Sequence, residues 1–147
     1  MIKLVLITML ILGISPIAMA ACDRDSKTIF SCLTAKAKRI QVCDSGKTIE
    51  YSYGKPNLTP EIIVRAPRSD ASTYQWIGAG DMSYSVTIPN GNTNYRVFWS
   101  VDRFTDEHLI HAGVTVDVNK KDVATVKCVG EKHIVQNIEG IDLKPIN

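Results

Sequence analysis

Residues 82–99 read MSYSVTIPNGNTNYRVFW. Apolar and polar residues alternate on both sides of Asn90-Gly91, a dipeptide typical of a type I′ hairpin turn. A two-residue loop at that point pairs Ile88 with Thr93 and gathers the large apolar side chains on one face. A slip of one residue would move all of them into water, so the pattern predicts a hairpin with one buried face. That face consists of Met82, Tyr84, Val86, Ile88, Tyr95, Val97 and Trp99.

The same alternation recurs along the chain between turn signals, which is typical of an all-β protein. The sequence predicts an antiparallel meander of about eight or nine strands that forms a closed barrel or a sandwich. Ser45-Gly46 is a second turn signal, which pairs Val42 with Ile49, and a third turn falls within Asn119–Asp122. The predicted strands are Thr28–Leu33, Arg39–Cys43, Thr48–Tyr53, Glu61–Ala66, Thr73–Ile77, Met82–Ile88, Thr93–Arg103, Gly113–Val118 and Val123–Val129.

The N-terminal segment has the pattern of an export signal. Lys3 precedes the apolar run Leu4–Leu12, and Ala18-Met19-Ala20 is a small-x-small cleavage site. We therefore expect a signal peptide over residues 1–20 and a single β domain over 21–147 with a short irregular C-terminal tail. The predicted location is periplasmic or secreted. Cys22 follows Ala20-Ala21 as in a lipobox, so a lipoprotein anchored to the membrane through a lipidated Cys22 is the alternative.

Charge and cysteine content narrow the functional classes. The chain has 17 Lys and Arg against 15 Asp and Glu, with no basic stripe, and this argues against nucleic acid as a partner. Four cysteines in an exported chain predict disulfides. In a closed barrel the first and last strands are neighbours, which favours Cys32–Cys128 and leaves Cys22 to pair with Cys43 or to remain unpaired. Cys32–Cys43 is the local alternative.

A polar stretch, Asp102–His111, is the one place where the sequence offers acid–base chemistry. His108 and His111, with the neighbouring acids, could serve a small periplasmic hydrolase. The stretch lacks the spacing of a zinc-protease helix, and the chain has no nucleophile-elbow motif. No metal site and no cofactor is predicted. Gly78-Ala79-Gly80-Asp81 is interpreted as a turn that connects two strands.

Several aromatic and basic residues are candidates for binding rather than catalysis. Tyr74 and Trp76 alternate with a polar residue on a strand and could face a ligand or a protein. Arg68 could contact an anion or a carboxylate. Phe98 and Phe104 do not fit the two-faced pattern and could mark a partner surface or a second covered side.

Two resemblances bear on function. The stretches Ala66–Trp76 and Ile88–Thr93 resemble parts of uncharacterised small exported proteins of Gram-negative bacteria. The overall layout resembles the periplasmic or membrane-bound inhibitors of c-type lysozyme, with Phe30-Ser31-Cys32 and Val126-Lys127-Cys128 at the places of their early and late cysteines. Gly80–Tyr84 is only loosely similar to their Ser- and Tyr-bearing loop motif. This second resemblance is architectural and implies a small antiparallel β-barrel; no functional residue is carried over from it.

These observations predict a non-enzymatic exported protein that binds an envelope protein or a glycan. Inhibition of a lysozyme-like enzyme is its most concrete form. The alternatives are the hydrolase that would use residues 102–111 and a structural envelope lipoprotein without a soluble ligand. A membrane is a partner only if Cys22 is lipidated.

Overall fold

A computed structural model describes residues 22–146. The predicted signal peptide, residues 1–20, lies outside the described residues. The fold is all-β, with one 3₁₀ turn, Glu131–His133, near its C-terminal end. The strands are β1 (Lys27–Thr34), β2 (Arg39–Asp44), β3 (Thr48–Gly54), β4 (Ile62–Pro67), β5 (Ser72–Ile77), β6 (Asp81–Asn90), β7 (Thr93–Asp102), β8 (Ile110–Val118), β9 (Lys121–Val129), β10 (Val135–Gln136) and β11 (Lys144–Pro145).

All nine predicted strands are confirmed, as β1 to β9, and the buried face of the 82–99 hairpin is confirmed with them. Tyr84, Val86, Ile88 and Val97 are fully buried, and the other members of that face pack against the core. The reason is the period of two in the sequence, which places every second side chain of a strand on the same face.

The predicted pairings within two hairpins are wrong by two residues. Ile88 lies opposite Tyr95, not Thr93, because the loop residues are Gly91 and Asn92 and not Asn90 and Gly91. Only the glycine of this loop has a positive φ (62°), which matches the type II′ pattern with glycine at the first central position. A shift of two residues keeps each side chain on its predicted face.

The Ser45-Gly46 hairpin shows the same difference for the same reason. Val42 lies opposite Tyr51 rather than Ile49, and the loop residues are Gly46 and Lys47. Gly46, with φ of 84°, again takes the first central position. The third turn falls at Asn119 and Lys120, inside the predicted interval, and both residues have positive φ as a type I′ turn requires.

The strands form one continuous sheet that is open, so the closed-barrel alternative is wrong. Its order is β11-β5-β6-β7-β8-β9-β1-β2-β3-β4, with β10 paired to β1 outside this path. Closure would need β4 to pair with β5. The free edge of β5 is instead occupied by β11, which runs parallel to it with Lys144 opposite Ser72. A tight turn at residues 67–71 separates the two strands, with Asp70 and Ala71 donating to the Pro67 carbonyl.

The open sheet folds over on itself and encloses one apolar core. Side chains from β1–β4, such as Phe30 and Tyr51, meet side chains from β6–β8, such as Tyr84 and Val114. The Tyr51 ring stacks on Tyr95 of β7 with 4.8 Å between ring centroids. Burial raises the pKa of the Tyr51 hydroxyl, with smaller contributions from the neighbouring tyrosines, so this phenol stays neutral in the folded protein.

The C-terminal tail crosses between the two halves of the sheet. The sequence predicts a short irregular segment there, and the structure shows the 3₁₀ turn and two two-residue strands. β10 pairs with β1, β11 pairs with β5, and between them Ile138 inserts a fully buried side chain into the core. The tail therefore joins the first and the second half of the sheet across their open side.

The disulfides are Cys32–Cys128, between β1 and β9, and Cys22–Cys43, between the start of the described chain and β2. This pairing confirms the predicted one and excludes the local Cys32–Cys43 bridge. Two bridges suggest an oxidising compartment outside the cytoplasm. Within residues 22–146 there is no helix whose length and apolar character would let it cross a bilayer.

Candidate functional site

Trp76 is exposed on the outer face of β5 and is held in a fixed position. About half of its surface (49%) is accessible to solvent. Its indole Nε1 donates a hydrogen bond of 3.1 Å to Asp81 Oδ1, and the ring lies against Gly78, where a Cβ would approach Nε1 to 2.7 Å. A large apolar ring that is both exposed and fixed loses little conformational entropy when a partner covers it.

Phe104 is the most exposed large apolar residue of the described chain, at 84%. Its ring occupies the space that a Cβ on Gly80 would need, with Cε2 only 1.6 Å from that position. The loop that carries it is fixed to the β5–β6 turn, because the Arg103 amide donates to the Gly80 carbonyl and the Phe104 amide donates to Asp102 Oδ1. Phe104 is therefore exposed but anchored.

Both rings lie at the same end of the sheet, where β5 turns into β6 and where β7 ends. One further exposed aromatic side chain accompanies them, and we call the three residues the aromatic end: Tyr74, Trp76 and Phe104. Tyr74 shares the outer face of β5 with Trp76, since the two are separated by one residue. Such a group of exposed apolar side chains marks an interaction surface more often than isolated ones do.

Carboxylates border the aromatic end. Asp81 of β6 and Asp102 of β7 are direct cross-strand neighbours on the outer face that also carries Trp76. The following loop adds Asp106 and Glu107, and every residue from 103 to 109 is exposed. Asp81 and Asp102 are thus like charges in directly opposed positions, an arrangement that is unfavourable in sheets in general.

His108 and His111 lie on different elements. His108 belongs to the loop, with a positive φ of 45°, and lines a cavity of about 640 Å³ with Ala79, Val101 and Arg103. His111 lies on β8, opposite Ser100, and is not among the residues that line that cavity. Residues 105–108 make a single turn closed by a hydrogen bond from the His108 amide to the Thr105 carbonyl, and this turn ends before His111.

Arg68 is engaged in contacts within the protein. Its Nη1 bonds to Asp44 Oδ2, and its Nη2 donates to the Asp142 carbonyl at 2.7 Å. Arg68 thereby links the end of β2 to the C-terminal tail, beside a cleft of about 650 Å³ between the tail and β1. Its guanidinium already has a carboxylate partner, so it serves the fold in this structure.

Among residues 22–146, no group of three or more His, Cys, Asp or Glu side chains is arranged so that it could hold a metal ion. Tyr84 is fully buried, stacks on Trp99, and has no hydrogen-bond partner for its hydroxyl in the described chain. Burial first, and the nearby carboxylate of Glu139 second, raise the pKa of this hydroxyl.

The sequence predicts Tyr74 and Trp76 as binding candidates and sets Phe104 apart from the two-faced pattern. It interprets Gly78–Asp81 as a turn and Asp102–His111 as a source of acid–base candidates, and it does not connect either segment with the aromatic residues. The missed signal is the spacing of Gly78 and Gly80 just after an alternating aromatic pair. A glycine without a side chain leaves room for a neighbouring ring to lie against the backbone.

Comparison of the chain with known protein families, with curated proteins and with solved structures found no match.

Proposed function

We propose that this protein is a non-enzymatic, exported binding protein of the bacterial cell envelope and that the aromatic end is its binding surface. The observation that carries the proposal is the pair Trp76 and Phe104, both exposed and both fixed against glycine backbone. Tryptophan is among the residues that dominate binding energies at protein interfaces, and fixed side chains have less entropy to lose.

The most concrete form of this function is inhibition of a lysozyme-like enzyme in the periplasm. The small antiparallel β fold with a bridge between an early and a late cysteine supports this form of the proposal. An inhibitor must present a rigid surface to its target. The disulfides and the anchored rings of the aromatic end supply such a surface.

We further propose that the mature protein is soluble in the periplasm and not lipidated. The support is Cys22, whose sulfur is bonded to Cys43 and has no free thiol for a lipid thioether. Intact mass measurement of the protein from periplasmic extract, unreduced and reduced, tests this. We expect an unacylated chain that gains two hydrogens per bridge on reduction, and an added diacylglycerol mass would contradict the proposal.

Binding is tested with a panel of c-type lysozymes and by capture from periplasmic extract. Trp76→Ala is expected to weaken binding of the captured partner or inhibited lysozyme by about tenfold or more, as loss of an interface hot spot does. Val123→Ala is the matched control, because Val123 is exposed on β9 at the opposite end of the strands. The proposal fails if no lysozyme is inhibited and nothing is captured, or if both variants bind as the unchanged protein does.

A further inference from the structure

We propose that the aromatic end binds a cationic protein segment, whose Lys or Arg side chains contact the carboxylates around Trp76 and Phe104. This inference rests on the proposed function and deepens it, because it gives the chemical class of the partner. Its support is the distribution of charge over the described residues and not the net charge of the chain, which is +2.

The first observation is the Asp81–Asp102 pair. The two carboxylates lie directly opposite each other on one face, and neither has an ion-pair partner within residues 22–146. Each accepts a hydrogen bond, from the Trp76 indole and from the Phe104 amide, but neither bond brings a compensating charge. A cation from a partner would supply the opposite charge with which no side chain of the described residues pairs these two carboxylates.

The second observation is the concentration of acidic residues at this end of the sheet. Four carboxylates elsewhere have basic partners, in the pairs Lys38–Glu61, Arg65–Glu50, Arg68–Asp44 and Arg96–Asp122, whereas none at the aromatic end is in such a pair within the described part of the chain. Residue 81 and the segment 102–107 contribute four acidic residues, Asp81, Asp102, Asp106 and Glu107, and one basic residue, Arg103, which gives a local formal charge of −4 + 1 = −3. Nearby, Glu131 accepts a hydrogen bond from the Ile110 amide and is followed in the chain by Lys132, so this pair of residues does not change that sum.

Together the two observations describe an apolar centre with an acidic rim. In protein interfaces the apolar anchors supply most of the affinity, whereas rim charges select partners of opposite sign and speed their approach. An acidic partner would add like charges to a surface that already has a formal charge of −3. A cationic segment with apolar residues between its basic ones satisfies both parts of the surface.

The experiment follows the fluorescence of Trp76 during titration with defined probes. The chain has two tryptophans, and Trp99 is packed against the core, so a Trp76→Phe variant identifies the signal of the exposed ring. The probes are two synthetic peptides of equal length, one alternating Lys with Leu and the other Glu with Leu, and a neutral chitin oligosaccharide. Asp106→Asn/Glu107→Gln removes two rim charges, and Asp23→Asn/Asp25→Asn, in the turn before β1, is the matched control.

We expect the Lys-Leu peptide alone to bind. Its affinity should fall about threefold or more in Asp106→Asn/Glu107→Gln, stay within about twofold in the control, and fall in roughly 1 M salt, where the Debye length is about 3 Å. Equal binding of both peptides, or binding of the oligosaccharide alone, would overturn the cationic partner while leaving Trp76 as a binding residue. Binding of no probe would also overturn it, and the lysozyme and capture experiments would then judge the proposed function separately.

Discussion

At the scale of single residues, glycines determine where aromatic rings lie in this protein. Gly80 leaves space for Phe104 on the surface, and Gly113 of β8 allows the neighbouring strand β9 and the Phe98 ring to come close. The two glycines differ in what surrounds them. The three atoms nearest to a Cβ on Gly80 would all belong to the exposed Phe104 ring, whereas a Cβ on Gly113 would lie 2.2 Å from the backbone oxygen of Val126.

This difference predicts opposite outcomes for two alanine substitutions. Gly113→Ala should lower the free energy of unfolding by about 1–3 kcal/mol, because backbone in a sheet cannot move aside without strain. Gly80→Ala should change it by less than about 1 kcal/mol, because the added methyl group displaces the exposed Phe104 ring into solvent and not the backbone. The same substitution should weaken partner binding, as Phe104→Ala should. Urea denaturation measures the two free energies of unfolding, and equal losses of stability would contradict this difference between the two glycines.

The same residues show which features of the candidate site can be predicted from the sequence and which cannot. Exposure of Tyr74 and Trp76 follows from their alternation with a polar residue on a strand. The anchoring of Phe104 on Gly80 joins two loops that are far apart in the sequence, and no local pattern predicts such a contact. The Asp81–Asp102 opposition depends on the exact pairing of β6 and β7, which the turn signal gave with an offset of two residues.

At the scale of elements, turn geometry sets the pairing and alternation sets the faces. Both mispredicted hairpins have their glycine at the first position of the loop. Asn90 and Ser45, which the turn signals placed in the loops, therefore lie just before them. The predicted assignment of side chains to the two faces is nevertheless correct, because an offset of two residues preserves the period of a strand. The C-terminal tail carries no comparable alternation, and its two short strands depend on edges that other parts of the chain provide.

The tail is held to the sheet by side chains as well as by its short strands. The Gln75 amide donates to the Ile138 carbonyl and accepts from the Gly140 amide, and Arg68 bonds to the Asp142 carbonyl. Arg68 also pairs with Asp44, whose side chain is only 11% exposed. A carboxylate so little exposed to solvent depends on its partner more than a surface carboxylate does.

Arg68→Ala should therefore destabilise the protein by about 1–3 kcal/mol, because it leaves Asp44 without a partner and releases the Asp142 carbonyl. Arg65→Ala is the control: Arg65 pairs with Glu50, its side chain is 63% exposed, and surface pairs of this kind contribute at most about 1 kcal/mol. Urea denaturation gives the two free energies. Hydrogen exchange should show faster exchange of tail amides in Arg68→Ala only. Equal stability losses and equal exchange rates in the two variants would contradict the role of Arg68 in holding the tail to the sheet.

At the scale of the whole molecule, the sheet is held together without closing. The sequence predicts neighbouring first and last strands, and β1 does pair with β9 over Leu33–Val129 and Thr34–Cys128. What it does not predict is the position of β11 on the edge of β5, because a two-residue strand has no recognisable pattern. The seam, where β1 of the first half of the sheet meets β9 of the second half, depends on three features. They are the short β1–β9 ladder, the Cys32–Cys128 bridge beside it and the tail.

The two disulfides should therefore contribute unequally. Cys32–Cys128 spans 96 residues and Cys22–Cys43 spans 21. The chain-entropy model gives about 4.7 kcal/mol for the longer loop and about 3.3 kcal/mol for the shorter one. Thermal and urea unfolding of Cys32→Ala/Cys128→Ala and of Cys22→Ala/Cys43→Ala test this difference. We expect the first variant to lose more stability, and to lose the apolar contacts across the seam as well. A larger loss in the second variant would show that the start of the described chain, and not the seam, is the weak point of the fold.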